Sequence, residues 1–121
     1  GPTVQQELLR GRTVLIDFTA DWCLACKVNE KWALNTSDTL ELVKQHDVLT
    51  LKADWTDESP EIKRWLDTFG SISVPLTVIF PGNDPTKPIV IRDSFTKKTL
   101  LQQLGQAVEV KAANQATVTQ R

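Results

Sequence analysis

Methionine is absent from this 121-residue chain, cysteine occurs twice and histidine once. The missing methionine and the opening Gly1-Pro2 make the chain read as an excised piece of a longer protein, residues 1–2 being what a tag-cleaving protease leaves. Two cysteines in one short motif are not a structural disulfide framework, which needs more pairs at wider spacing. A field of one sign is also missing: fourteen basic against fifteen acidic residues leave a net charge of −1. That balance favours neither nucleic acid nor an anionic membrane as partner. Apolar runs such as Val78-Ile79-Phe80 fall far short of the roughly 20 residues a bilayer-spanning helix needs. Membrane insertion by this fragment is therefore not expected. No basic-then-apolar leader opens the chain, and there are no internal repeats.

What is present suits one globular domain. The apolar fraction is 40% and the charged fraction 24%, and the length suffices to bury a core without staples. Val4 to Leu9 reads as a short helix ended by Gly11, and Thr13 to Thr19 as a buried strand. From Cys23 to about Gln45 the pattern is helical, broken near Asn35-Thr36-Ser37-Asp38, with Ser37 or Asp38 as the second N-cap. Val48 to Asp54 is a second strand. Ser59-Pro60-Glu61 opens a helix that Gly70 stops. Pro75 to Phe80 and Ile89 to Arg92 form a hairpin, and Thr96 to about Val110 an amphipathic helix. The domain is thus expected over residues 3–110, with a flexible tail at 111–121. The order β-α-β-α-β-β-α implies an α/β fold with a mixed sheet and helices on both faces.

The most informative segment is Trp22-Cys23-Leu24-Ala25-Cys26. A strand that delivers Cys-x-x-Cys to a helix start makes a dithiol/disulfide redox site, because helix amides and the macrodipole stabilise a thiolate on the first sulfur. Cys23 would attack a partner disulfide and Cys26 would resolve the mixed disulfide. Half of a zinc site is the alternative, but only His46 remains as a further nitrogen or sulfur ligand, so zinc would need dimerisation or a carboxylate. Haem attachment needs histidine after the second cysteine, where Lys27 stands. Asp17, alone among apolar strand residues, costs free energy unless paired or protonated. It is a candidate proton acceptor for Cys26, or else a buried carboxylate satisfied structurally, for instance by Lys52. Glu30, four residues beyond Cys26, shares its helix face, where an ordinary solvated glutamate is one reading. Lys27 and His46 read as surface residues. Trp32 and Trp65 are expected in the core, and Trp55 is open.

These landmarks together resemble the thioredoxin fold over residues from about 5 to 109. Ile16-Asp17-Phe18 with Ala20-Asp21-Trp22-Cys23 is similar to its first strand and active-site approach. Lys52 stands where the fold has a lysine near a buried carboxylate, and Val74-Pro75-Leu76-Thr77 resembles the loop whose proline is cis and faces the dithiol. Ala20 to Lys27 with Glu30, and Lys52 to Thr56, are similar to the C-terminal periplasmic domain of the transmembrane thiol:disulfide interchange reductases (the DsbD family). Thioredoxins usually have Gly-Pro where this chain has Leu24-Ala25, and often glycine where it has Ser73 and Ser94.

The resemblance implies Cys23 and Cys26 as redox-active disulfide, Asp17 and Glu30 as catalytic carboxylates, and Lys52 as support. It also implies that Trp22, Val74 and Pro75 meet the partner. Electrons would come from a membrane-embedded cysteine pair of the same parent protein and pass to periplasmic thiol proteins. The domain would be a monomer on the periplasmic side of the bacterial inner membrane. Metal, flavin and nucleotide are not needed, since the reaction is thiol exchange. A free-standing thioredoxin-like reductase and a redox-inert, zinc-bridged binding module are the other readings.

Overall fold

A computed structural model describes residues 3–119, with side chains described to residue 108. Gly1-Pro2, read as a cleavage remnant, lies outside the described residues. The elements, in chain order, are α1 (Val4–Leu9), β1 (Val14–Thr19), α2 (Leu24–Asn29), a π-helical turn (Glu30–Leu34), α3 (Ser37–Gln45), β2 (Leu49–Asp54), α4 (Pro60–Thr68), β3 (Leu76–Phe80), β4 (Ile89–Arg92) and α5 (Lys97–Thr119). Beyond the expected end near Val110 the backbone of α5 continues to Thr119. The side chains of the stretch read as a tail, and its last two residues, lie outside the described set.

The sheet has the order β2-β1-β3-β4. β1 runs parallel to β2 and antiparallel to β3, which pairs antiparallel with β4. This is the expected mixed sheet. Strand alternation divides the core in two. Val14, Ile16 and Phe18 of β1 join Leu76, Val78 and Phe80 of β3 and Leu66 of α4, with Val4 and Leu8 of α1 packed against them. Leu15 and Ile79 point the other way, to Ala33, Leu34, Leu100 and Leu104. Helices therefore cover both faces, and β1 is buried along its whole length.

Local chemistry explains the ends. Thr3 caps α1 in a reciprocal box with Gln6. Glu7, the buried residue of α1, is held below the usual carboxylate range chiefly by a hydrogen bond from Arg12 at 2.8 Å. Gly11 and Gly70 take φ of 79° and 71°, which other residues adopt at a cost. The α3 cap is Thr36, one residue before the expected pair: its hydroxyl accepts the Thr39 N–H at 3.4 Å.

Two tryptophan expectations need correction. Trp32 is 65% exposed and Trp65 40% exposed. Their neighbours Ala33 and Leu66 take the inward positions, which leaves Trp32 outside under the Lys31 ammonium and Trp65 stacked on Phe69.

Candidate active site

Cys23 and Cys26 are joined as a disulfide. Cys23 is the N-cap of α2, and the Cys26 N–H donates to its sulfur at 3.1 Å. An unsatisfied amide of the first helical turn thus points at the sulfur that would carry negative charge after reduction. Cys23 keeps 6% exposure and Cys26 none, so the first sulfur is the reachable one. Ala20 and Ala25 pack around the pair, and Val74 closes against it.

The approach to the cysteines is fixed from β2. The Asp21 N–H donates to Thr56 Oγ1 at 2.8 Å, and Trp22 Nε1–H donates to the Thr56 carbonyl at 3.0 Å. Thr56 is held in turn by Asp54, whose Oδ1 accepts from its amide and its hydroxyl. Those bonds keep Asp54 below the usual carboxylate range. Trp22 remains half exposed, with its ring 6.0 Å from that of Trp55, which is buried. Sequence reasoning missed Thr56 as a clasp; Asp54-x-Thr56 directly after a strand is the signal that could have found it.

Pro75 is buried and its bond to Val74 is cis, as the resemblance implied. The Pro75 carbonyl accepts the Asp93 N–H at 3.2 Å.

Asp17 and Glu30 come together beneath α2. Asp17 lies mid-strand, 7% exposed, opposite Lys52 on β2 and Thr77 on β3. Burial pushes its carboxyl up to about 7, and a hydrogen bond with Glu30 and that residue's charge push the same way. Lys52 and Lys27 offset part of the rise. Glu30 is 8% exposed and its N–H donates to the Cys26 carbonyl. Burial would raise it too, but Thr19, Asp17 and the two lysines outweigh that and hold it below its ordinary value. Thr19 acts on Glu30 through its dipole rather than through a well-formed bond, since Thr19 Oγ1 and Glu30 Oε2 lack partners in hydrogen-bond geometry. Near neutral pH Glu30 is thus ionised, while Asp17 is poised to gain or lose its proton. The ammonium of Lys52 sits 3.9 Å from Glu30 Oε1, and that of Lys27 3.7 Å from the same oxygen. Both lysines therefore attend the acid pair, and Lys27, though exposed, belongs to the site's electrostatics. A cavity of about 150 Å³ between α3 and β2 reaches Asp17 past Leu40, Val43 and Thr50.

Of the expected site residues, Cys23, Cys26, Asp17, Glu30, Lys52, Trp22, Val74 and Pro75 gather at one end of the sheet. His46 is exposed at the far end of α3, away from them. Among the described residues no three His, Cys, Asp or Glu side chains cluster to hold a metal ion, and no helix is long and apolar enough to cross a membrane.

Comparison with known proteins agrees with this geometry. A family model described as Thioredoxin-like matches residues 3–82. The thiol:disulfide interchange protein DsbD of Ralstonia nicotianae is 30% identical over 107 residues, covering 88% of this chain and 17% of the relative. DsbD of Photorhabdus laumondii is 38% identical over 77 residues, 64% of this chain and 13% of that one. The chain therefore spans less than a fifth of these relatives. Among solved structures, the reduced C-terminal domain of Neisseria meningitidis DsbD superposes with a TM-score of 0.65 at 21% identity, covering 79% of this chain and 81% of that one. A thioredoxin from Thermus thermophilus gives 0.63 at 16% identity, with coverage of 85% and 78%. With a family-model match over most of its length and a disulfide-bonded Cys23-x-x-Cys26 at a helix start, the chain belongs to the thioredoxin-like family, as a disulfide oxidoreductase domain.

Proposed function

We propose that this domain relays electrons by disulfide exchange, from a membrane-embedded cysteine pair of a DsbD-like parent protein to thiol proteins of the periplasm. The observation that carries the reading is the unequal pair of sulfurs: Cys23 at the helix cap with an amide donating to it, Cys26 fully buried behind it. Reduced Cys23 attacks a partner disulfide as thiolate, expelling one partner sulfur and forming a mixed disulfide. Cys26 then loses its proton and attacks Cys23. The intramolecular disulfide forms, and the partner leaves carrying both electrons as a dithiol. Asp17 is the acceptor for the Cys26 proton, a role its raised pKa suits near neutral pH. Glu30, ionised beside it, opposes idle thiolate formation until a docked partner displaces water. Trp22 shields the sulfurs, and Val74-Pro75 offers a short backbone edge for the partner chain. Leu24-Ala25 between the cysteines, the Asp17–Glu30 pair and the DsbD matches support this reading over that of a general thioredoxin.

A second reading is supported by the bifunctional thioredoxin reductase/thioredoxin of Mycobacterium leprae, 32% identical over 103 residues, 84% of this chain and 20% of that one. In that reading the domain takes its electrons from a flavoprotein reductase, and turnover with such an enzyme separates the two. The deciding measurement is the equilibrium potential of the Cys23–Cys26 couple, titrated against a thiol buffer and read by thiol trapping. A value near the roughly −270 mV of thioredoxin, or somewhat above, is expected for a donor; one approaching the roughly −120 mV of a strong oxidant overturns the reductase reading.

A further inference from the structure

Asn29 is a polar residue in a place that asks for an apolar one. It lies three positions after Cys26, at the end of α2, and is 2% exposed. A buried amide is costly unless its polar atoms find partners. Here both do. Asn29 Nδ2 donates to the Asp93 carbonyl at 3.2 Å, and Asn29 Oδ1 accepts the Phe95 N–H at 3.2 Å. The two partners fix which end is oxygen, because the reversed amide would set donor against donor and acceptor against acceptor.

Both partners lie in the loop between β4 and α5, and that loop is tied to the docking edge. The Asp93 N–H donates to the Pro75 carbonyl, so one peptide residue is held by Asn29 on one side and by Pro75 on the other. Asp93 sits at φ 62°, in the left-handed region, which directs its two backbone groups apart. Phe95, the second partner, packs against the core beneath α5. The run α2–Asn29–Asp93–Pro75 therefore joins the helix that carries the sulfurs to the backbone edge across from them, with no intervening side chain but one amide.

We propose that Asn29 is a positioning residue that sets the spacing between the Cys23–Cys26 helix and the Val74–Pro75 edge, and so favours partners that lay a polypeptide backbone there. The proposal rests on the reading of that edge as the docking site. A small disulfide needs only the sulfur of Cys23, whereas a protein disulfide needs sulfur and edge at one fixed separation. Loss of the amide should therefore weaken protein substrates and spare small ones.

The test uses pre-reduced wild type and Asn29→Leu, a near-isosteric apolar replacement. Their oxidation is followed by thiol trapping against increasing insulin and, separately, bis(2-hydroxyethyl) disulfide. For Asn29→Leu the half-saturating insulin concentration should rise about three- to tenfold, the scale of a lost buried hydrogen bond or two, with the limiting rate and the small-disulfide rate held within about twofold. Parallel loss toward both substrates, or no change toward either, overturns the positioning role and leaves the docking edge standing. Wild type that reduces the small disulfide and ignores insulin overturns the docking edge and this role with it. Independently of any variant, amide exchange at Phe95 in the wild type should be slowed by the Asn29 bond; exchange at the rate of an open loop overturns the proposal.

Discussion

Asp17 is a carboxyl that folding makes reluctant to ionise. Burial first, then the neighbouring Glu30, lift it from 3.8 to about 7. Between those values the folded chain holds a proton that the unfolded chain has released. Its contribution to stability is thus fully present below about 3.8 and is lost as pH rises through about 7. At roughly 1.4 kcal/mol per pKa unit, the loss amounts to a few kcal/mol. Asp17→Asn removes the ionisation, so the variant should melt above the wild type at pH 8, the gap closing toward pH 4. Calorimetric melting across that range reads it. The same variant should slow disulfide reduction and erase any inflection near pH 7 in its rate profile; an unchanged profile would remove Asp17 as proton acceptor. This residue was legible in sequence because a lone charge in an apolar strand has few explanations. Glu30 was not: its spacing from Cys26 fits a solvated helix glutamate equally well, and only the π-helical turn that begins there buries it. Asn29 gave no signal, since its partners lie more than sixty positions away.

The elements were mostly readable from periodicity and punctuation, because Gly11, Ser59-Pro60 and Gly70 act where they stand. The connection from α2 to α3 was not. A stretch without glycine or proline reads as continuous helix, yet Glu30 to Leu34 widens into a π turn closed by the Asn35 N–H on the Glu30 carbonyl at 2.8 Å. Such turns are rare, mostly single-turn bulges within helices, and frequent at functional sites. This one buries Glu30, Ala33 and Leu34 together while leaving Trp32 outside, which is why the tryptophan expectation failed. The turn is fastened to α3 through the Ala33 carbonyl, which accepts from Thr39 Oγ1 at 2.7 Å and from Thr36 Oγ1 at 3.0 Å. Thr39 is 2% exposed, so Thr39→Val keeps its volume and removes the shorter bond. A loss of about 1 kcal/mol is expected, as a lower urea midpoint with unchanged slope. Disulfide exchange should continue at the wild-type rate, because Thr39 touches neither sulfur nor edge.

At the scale of the whole molecule, redox state and folding stability are one thermodynamic cycle. Whatever the disulfide adds to the stability of the native chain lowers its potential by the same free energy, relative to the cysteines of the unfolded chain. Closing a ring across three positions removes chain entropy worth about 2 kcal/mol on the loop model, or about 40 mV for a two-electron couple. The native site adds to that preference. A disulfide is uncharged, whereas a thiolate at Cys26 is fully buried and lies one helical turn from the ionised Glu30. The amide that donates to Cys23 works in the opposite direction, toward the thiolate, but it is one neutral donor against a full charge. The oxidised domain should therefore be the more stable form, with a urea midpoint above that of the protein kept reduced in a phosphine. That order is what an electron donor requires, since the drive to give up electrons is the drive to regain the disulfide. A strong oxidant has the reverse order, its reduced form being the stabilised one. Paired unfolding curves at pH 7 thus test the direction of flow without any partner: a reduced form that outlasts the oxidised one would mean that the helix amide prevails over Glu30, and that this domain gives disulfides rather than electrons.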